Sequence, residues 1–336
     1  MWLDRLPKVE LHCHLDGSIP LEVLKDLCVM GHITVPGDEK QFRRLAEAGD
    51  NCESLTEYLK AFELPLSCLK TEESFFRASY AVAAQAAMEN VKYMEIRFAP
   101  LLSETSALAA ESVIEASIAG LQKACKEKGI YTSLILCGMR HFSVSDNYRT
   151  LDLGKQYLNK GVCGIDLAGD ESAYQNELFL DYFKKAENSG IPLTVHSGEC
   201  SRIQNIELAV EYGARRIGHG IAMRGNDALQ ELIRNKEIGV ELCPNSNIQT
   251  GAVASAEEYP FREFLDHGVK ISINTDNRTV TNTTMKKELQ FLDTHFGLSV
   301  EEAKRLMIQA METSFAEKGM KESVIKEVWQ WKEESA

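Results

Sequence analysis

IPLTVHSGECSRIQNIELAVEYGARRIGHGI, residues 191–221, reads as strand, helix, strand. An apolar run leads into His196-Ser197-Gly198, a helical stretch follows and stops at Gly213, and a second short run leads into Gly218-His219-Gly220. Both runs end in a histidine. Working outward, strand-like runs stand at 8–15 (KVELHCHL), 91–99 (VKYMEIRFA), 131–139 (YTSLILCGM), 162–169 (VCGIDLAG), 191–198, 215–221, 237–244 (EIGVELCP) and 269–276 (VKISINTD). Eight strands separated mostly by helices imply an α/β fold of the parallel (β/α)8, or TIM, barrel type. A doubly wound open sheet would gather its chemistry in one crevice. Here chemical residues follow strands one, four, five, six and eight, the face on which barrels build their sites.

The stretch 16–90 is too long for one crossover helix, so extra helices between strands one and two are expected over the barrel mouth. Helix ends are recognisable at Thr71 with Glu72 and Glu73, at Ser299 with Glu302, and at Gly190 and Gly213. VWQWK near the C-terminus reads as an amphipathic helix packed outside. No linker, low-complexity tract or close repeat divides the chain, so residues 1–336 are expected to form a single domain.

A formal net charge of −13 disfavours a nucleic-acid groove or an anionic membrane surface, since both recruit clustered Lys and Arg. No apolar run reaches 18 residues, and MWLDRLPKVE lacks the apolar centre of a signal peptide. The nine cysteines form no C-x-x-C pair, and several lie in apolar strands, as free thiols in a reducing compartment do. A soluble, cytoplasmic protein is expected. Nothing in the sequence specifies an oligomer.

His12 and His14 are two apart on a strand, so both rings face one side while Leu11, Cys13 and Leu15 face the helices. His196, His219 and Asp276 close three further strands. Each has an ordinary use when read singly: paired structural histidines, a turn histidine, an aspartate N-cap, and for Glu199 a glutamate at a helix start. Four of the chain's eight histidines at strand ends weigh against that reading. Three imidazoles and a carboxylate suit a borderline divalent metal such as zinc, and Glu199 and His219 are then left for acid–base work.

PKVELHCHLDGSI, VHSGE, RIGHGI, ELCPNSN and INTDN resemble the motifs of the adenosine deaminase family, metal-dependent (β/α)8 hydrolases of the amidohydrolase superfamily. EIRFAP, ILCGMRH and IDLAGDE match the intervening strands, so the resemblance runs in order from about residue 5 to 315. The unrelated cytidine-deaminase pattern, H-x-E followed by P-C-x-x-C, is absent. The resemblance implies one zinc per subunit held by His12, His14, His196 and Asp276. It further implies hydrolytic deamination of adenosine and 2′-deoxyadenosine to inosine and 2′-deoxyinosine with release of ammonia. Asp276 and His219 would orient the water, and His219 would take its proton or stabilise the developing alkoxide. Glu199 would protonate purine N1, which requires a carboxyl pKa raised by burial.

By the same resemblance Glu241 and Ser246 support the ligands, His14 and Asp16 meet the substrate, with Asp16 on a ribose hydroxyl, and Gly169 offers its N–H to purine N3. Leu55, Tyr58, Leu59 and Phe62 correspond to an apolar lip, with Met139 in the pocket wall, although their spacing equally marks a helix core face. Asp16 would repel a phosphate, so a free nucleoside is expected rather than AMP. Asn277 stands where the family pattern has a second aspartate; its amide can donate to purine N7 without a titratable proton. Arg278 beside it is either a loop salt bridge or a contact to an altered substrate tail. The alternatives are a deaminase of another 6-aminopurine (adenine, a 5′-modified adenosine or aminodeoxyfutalosine) and a non-catalytic binding protein on the same scaffold.

Overall fold

A computed structural model describes residues 2–49, 52, 58–200 and 202–333. Eight strands are present: β1 (Lys8–His14), β2 (Val91–Phe98), β3 (Tyr131–Met139), β4 (Val162–Ala168), β5 (Thr194–Ser197), β6 (Arg216–His219), β7 (Gly239–Leu242) and β8 (Lys270–Ile273). All pair in parallel and in chain order, as the four-stranded sheets β1-β2-β3-β4 and β5-β6-β7-β8. Single parallel bridges join the two sheets at both edges, Ile165 to Leu193 and Cys13 to Asp276. Helices follow the strands, among them Ala110–Lys128, Val144–Tyr157, Ile203–Glu211 and Asp227–Asn235. The architecture is the expected (β/α)8 barrel.

The last four strands are shorter than their apolar runs, and β8 shows why. Asn274 follows Ile273 and replaces backbone with side chain in the ladder: its Oδ1 accepts from Leu11 N (2.7 Å) and His12 N (3.2 Å). Its backbone N–H still reaches Leu242 O on β7 at 2.9 Å. Two residues on, Asp276 takes a left-handed backbone, φ 59°, which no strand tolerates. The strand thus ends where the carboxylate has to turn toward β1.

Between β1 and β2 the chain forms the helices Leu21–Met30, Glu39–Ala46, Glu63–Cys68 and Glu72–Met88, with a short turn at Leu59–Phe62. Thr71 and Ser74 form a capping box, as do Ser299 and Glu302. Gly190 and Gly213 follow their helices in left-handed conformations. The helix Lys318–Gln330 buries Val324 and Val328 and leaves Trp329 exposed, as the amphipathic pattern requires. One large apolar cluster fills the space between strands and helices, whereas Tyr58, Ala61 and Val280 form a separate small cluster at the mouth. No helix among the described residues is long and apolar enough to cross a membrane.

Candidate active site

β1 delivers His12 and His14, β5 delivers His196, and the turn after β8 delivers Asp276. One ligand atom from each lies within 4.8 Å of all the others. His14 Nε2 stands 3.2 Å from His196 Nε2, and Asp276 Oδ1 lies 3.3 Å from His12 Nε2 and 3.4 Å from His14 Nε2. Gly218 allows this approach: a Cβ there would sit 3.2 Å from both His12 Cε1 and the His196 Cα. His12 Nε2 is buried and has no hydrogen-bond partner. An orphaned imidazole nitrogen facing a carboxylate and two further imidazoles is the donor set of a borderline divalent cation.

The far side of three of the four ligands, His12, His196 and Asp276, is tied down. His12 Nδ1 meets Glu241 Oε2 at 2.8 Å, His196 Nδ1 meets Asp166 Oδ2 at 2.9 Å, and Ser246 Oγ donates to Asp276 Oδ2 at 2.6 Å. These contacts fix ring orientation and tautomer. Arg97 then bridges the two buried carboxylates, donating to Asp166 Oδ2 and Glu241 Oε2 at 2.9 Å each. Burial raises the Glu241 and Asp166 pKa values, but the Arg97 charge, with Arg216 at Glu241 and His196 at Asp166, outweighs it and holds both below the usual range. Burial depresses His12 and His14, keeping both rings neutral; at His196 burial acts the same way, but Asp166 outweighs it and the pKa rises.

Across the cluster, His219 Nε2 lies 3.8 Å from Glu199 Oε2. His219 and Asp276 both have left-handed backbones, φ 63° and 59°, each costing about 1–3 kcal/mol in a residue other than glycine. Tyr259 OH donates to Asn247 Oδ1 at 3.1 Å, which turns Asn247 Nδ2 toward His219 Nδ1 at 3.0 Å. Burial raises the Glu199 pKa, opposed by the nearby His219.

These groups open onto a cavity of about 420 Å³ lined by Asp16, Tyr58, Leu59, Phe62, Met139, Gly169 and Asn277, with His14, His196, Glu199, His219 and Asp276 at its polar end. Leu55 lies outside the described residues. Burial pushes the Asp16 carboxyl up to about 6. Asn277 Nδ2 donates to Tyr58 OH at 2.8 Å, and its Oδ1 presses on Gly17, where a Cβ would come within 1.9 Å of it. Arg278 faces away from the cavity, buried in ion pairs with Glu10 and Glu89, so of its two readings the salt bridge holds. A larger hollow of about 600 Å³ around Arg215, Lys236 and Lys321 contains none of the clustered ligand atoms.

Sequence reading missed Asp166, Arg97, Asn247 and Glu171, and left His141 without a role although it lines the cavity. The signal for Asp166 and Arg97 was a charge inside a strand covered on both faces, which requires a partner across the barrel.

The adenosine deaminase family profile matches residues 7–331. An adenosine deaminase of Enterococcus faecalis is 40% identical over 93% of this chain and 92% of its own length. The chain belongs to the adenosine deaminase family. Solved relatives of this family include an N6-methyl-AMP deaminase from Arabidopsis thaliana, 27% identical with a TM-score of 0.83 over 97% of each chain. An adenine deaminase from Arthrobacter aurescens shares the fold, with a TM-score of 0.87 at 24% identity over 97% of this chain and 99% of that one.

Proposed function

We propose that the protein hydrolyses adenosine and 2′-deoxyadenosine to the 6-oxopurine nucleosides and ammonia, the whole chain acting as one hydrolase domain. The observation that carries this reading is the meeting of two chemistries in one apolar cavity: a four-ligand cluster on one side and the Glu199–His219 pair on the other. His12, His14, His196 and Asp276 would hold one zinc. When bound, it supplies Lewis acidity that makes water ionise near neutral pH.

The chain's own residues then divide the work. Glu199, whose pKa burial raises in favour of the acid form, donates to purine N1 and draws electron density from C6. His219 accepts at Nδ1 from Asn247 and so presents Nε2–H to the cavity, in the form that stabilises an alkoxide developing at C6. Asp276 has one oxygen engaged by Ser246, which leaves Oδ1, the oxygen facing His12 and His14, both to serve as ligand and to accept from the water. Water adds its oxygen to C6 and the C6–N bond breaks; one of the water's protons leaves on the amino group as ammonia and the other restores Glu199, whose own proton stays on N1. Gly169 N–H meets N3. Asn277 gives one amide hydrogen to Tyr58 and has the second for N7.

A free nucleoside fits better than a nucleotide. Asp16 and Asp170 line the cavity, and among the described residues no Lys or Arg does; the undescribed stretch 53–57, ESLTE, contains none either. Asp16 calls for a ribose hydroxyl and so disfavours free adenine. The test is turnover of the zinc-loaded protein on adenosine, 2′-deoxyadenosine, AMP, N6-methyl-AMP, adenine and 5′-modified adenosines, followed by the absorbance change from 6-amino- to 6-oxopurine. Adenosine and 2′-deoxyadenosine are expected to lead. Equal rates on AMP would refute the nucleoside assignment, and turnover of another member alone would move it to that 6-aminopurine.

A further inference from the structure

Glu171 lies in the loop after β4, two residues beyond Gly169, and is buried without lining the cavity. Its carboxylate reaches into the turn that carries Glu199. Gly198 N donates to Glu171 Oε1 at 2.6 Å, and Cys200 N donates to Oε2 at 3.0 Å, so the two N–H groups that flank Glu199 are held by one side chain. Asn205 Nδ2, on the following helix, donates to Oε1 at 2.7 Å, and Asn205 Oδ1 accepts from Asn176 N at 2.9 Å. On the other side the turn is packed tightly: a Cβ on Gly198 would meet Ile206 Cδ1 at 2.5 Å. Two convergent backbone N–H groups form an anion-binding concavity, and here the anion is supplied by the protein.

We infer that Glu171 is the positioning residue for Glu199: it never touches substrate, and it fixes the direction in which the acid addresses the purine ring. The inference rests on Glu199 acting at N1. Its chemical sense is that Glu199 emerges from a loop, where a carboxyl can swing, and an acid must lie within hydrogen-bond reach of the atom it protonates. A misplacement near 1 Å costs about 10²-fold in rate. The β4 loop thereby sets two contacts together, Gly169 at one edge of the base and, through Glu171, Glu199 at another.

The test is Glu171→Gln in the zinc-loaded protein. The amide keeps one acceptor oxygen but turns a donor toward one of the two backbone N–H groups. The expected result is a kcat lower by about 10²-fold, with zinc content, thermal midpoint and adenosine KM little changed. A contact strengthened in the transition state is lost in kcat rather than KM. Affinity for a tetrahedral C6-hydroxyl analogue that keeps N1–H should fall with kcat. Affinity for 1-deazaadenosine, which has no ring nitrogen there, should not move. Glu171→Asp, which keeps the charge on a shorter arm, should show the same split at smaller size, and it serves if the glutamine variant does not fold. Unchanged kcat in a folded variant, or equal loss of affinity for both analogues, would overturn the inference. Full turnover by Glu199→Gln would instead bring down the role of Glu199 itself.

Discussion

The floor of the cavity and its lip are built on opposite plans. On the floor, each of His12, His196 and Asp276 is gripped from behind by a buried partner, and Arg97 ties two of those partners together. At the lip, Tyr58, Leu59, Phe62 and Leu66 present apolar surface, anchored through the Tyr58 hydroxyl, which is shared between Asn277 Nδ2 and Thr281 Oγ1 (2.6 Å). The floor is carried by barrel strands, whereas Tyr58 and Phe62 of the lip pack in a small cluster apart from the main core. A ligand set has to be fixed before a cation arrives; a cover over a purine has to admit and release it. Few buried apolar contacts are what such a cover needs.

Three substitutions and a pH series test this contrast. The largest effect is expected from His196→Ala: bound zinc is lost and deamination falls by at least about 10³-fold, read by metal analysis beside turnover. Glu241→Gln leaves the ligands in place but loosens His12, and zinc affinity should fall by about 10–100-fold in a competition with a chelator. The pH series addresses Glu199. Its pKa is raised by burial, so the acid form persists above the ordinary carboxylate range and disappears as pH climbs through the raised value. Beyond that value kcat should drop about tenfold per pH unit. A rate that keeps rising in that range would contradict the proton donor. Tyr58→Phe should be mildest: it removes a hydroxyl worth about 1 kcal/mol, shifts kcat/KM by a few-fold, and leaves zinc binding untouched. Zinc loss in that variant would erase the distinction between floor and lip.

The same contrast governed what could be read from sequence. The strands were legible because runs such as YTSLILCGM are apolar on both faces, and the third strand occupies its run of 131–139 in full. β8 fell short because Asn274 imitates backbone, which no periodicity announces. Histidines at strand ends are rare enough to stand out, so the floor was visible residue by residue. Its support was half visible: Glu241 and Ser246 came from motif likeness, whereas Asp166 acts through a contact between strands that only the closed barrel creates. The lip was least legible, because positions 55, 58, 59 and 62 have the spacing of any helix face turned to a core.

If His12, His14, His196 and Asp276 hold a metal without which the Glu199–His219 pair cannot deaminate a nucleoside, activity must follow metal content. The direct measurement is titration of chelator-stripped protein with zinc in the presence of adenosine, following the absorbance change and released ammonia together. Activity should return in proportion to zinc and level off at one equivalent per chain, with ammonia and 6-oxopurine formed one to one. Full turnover by the stripped protein, or none on adenosine after one equivalent is bound, would contradict it.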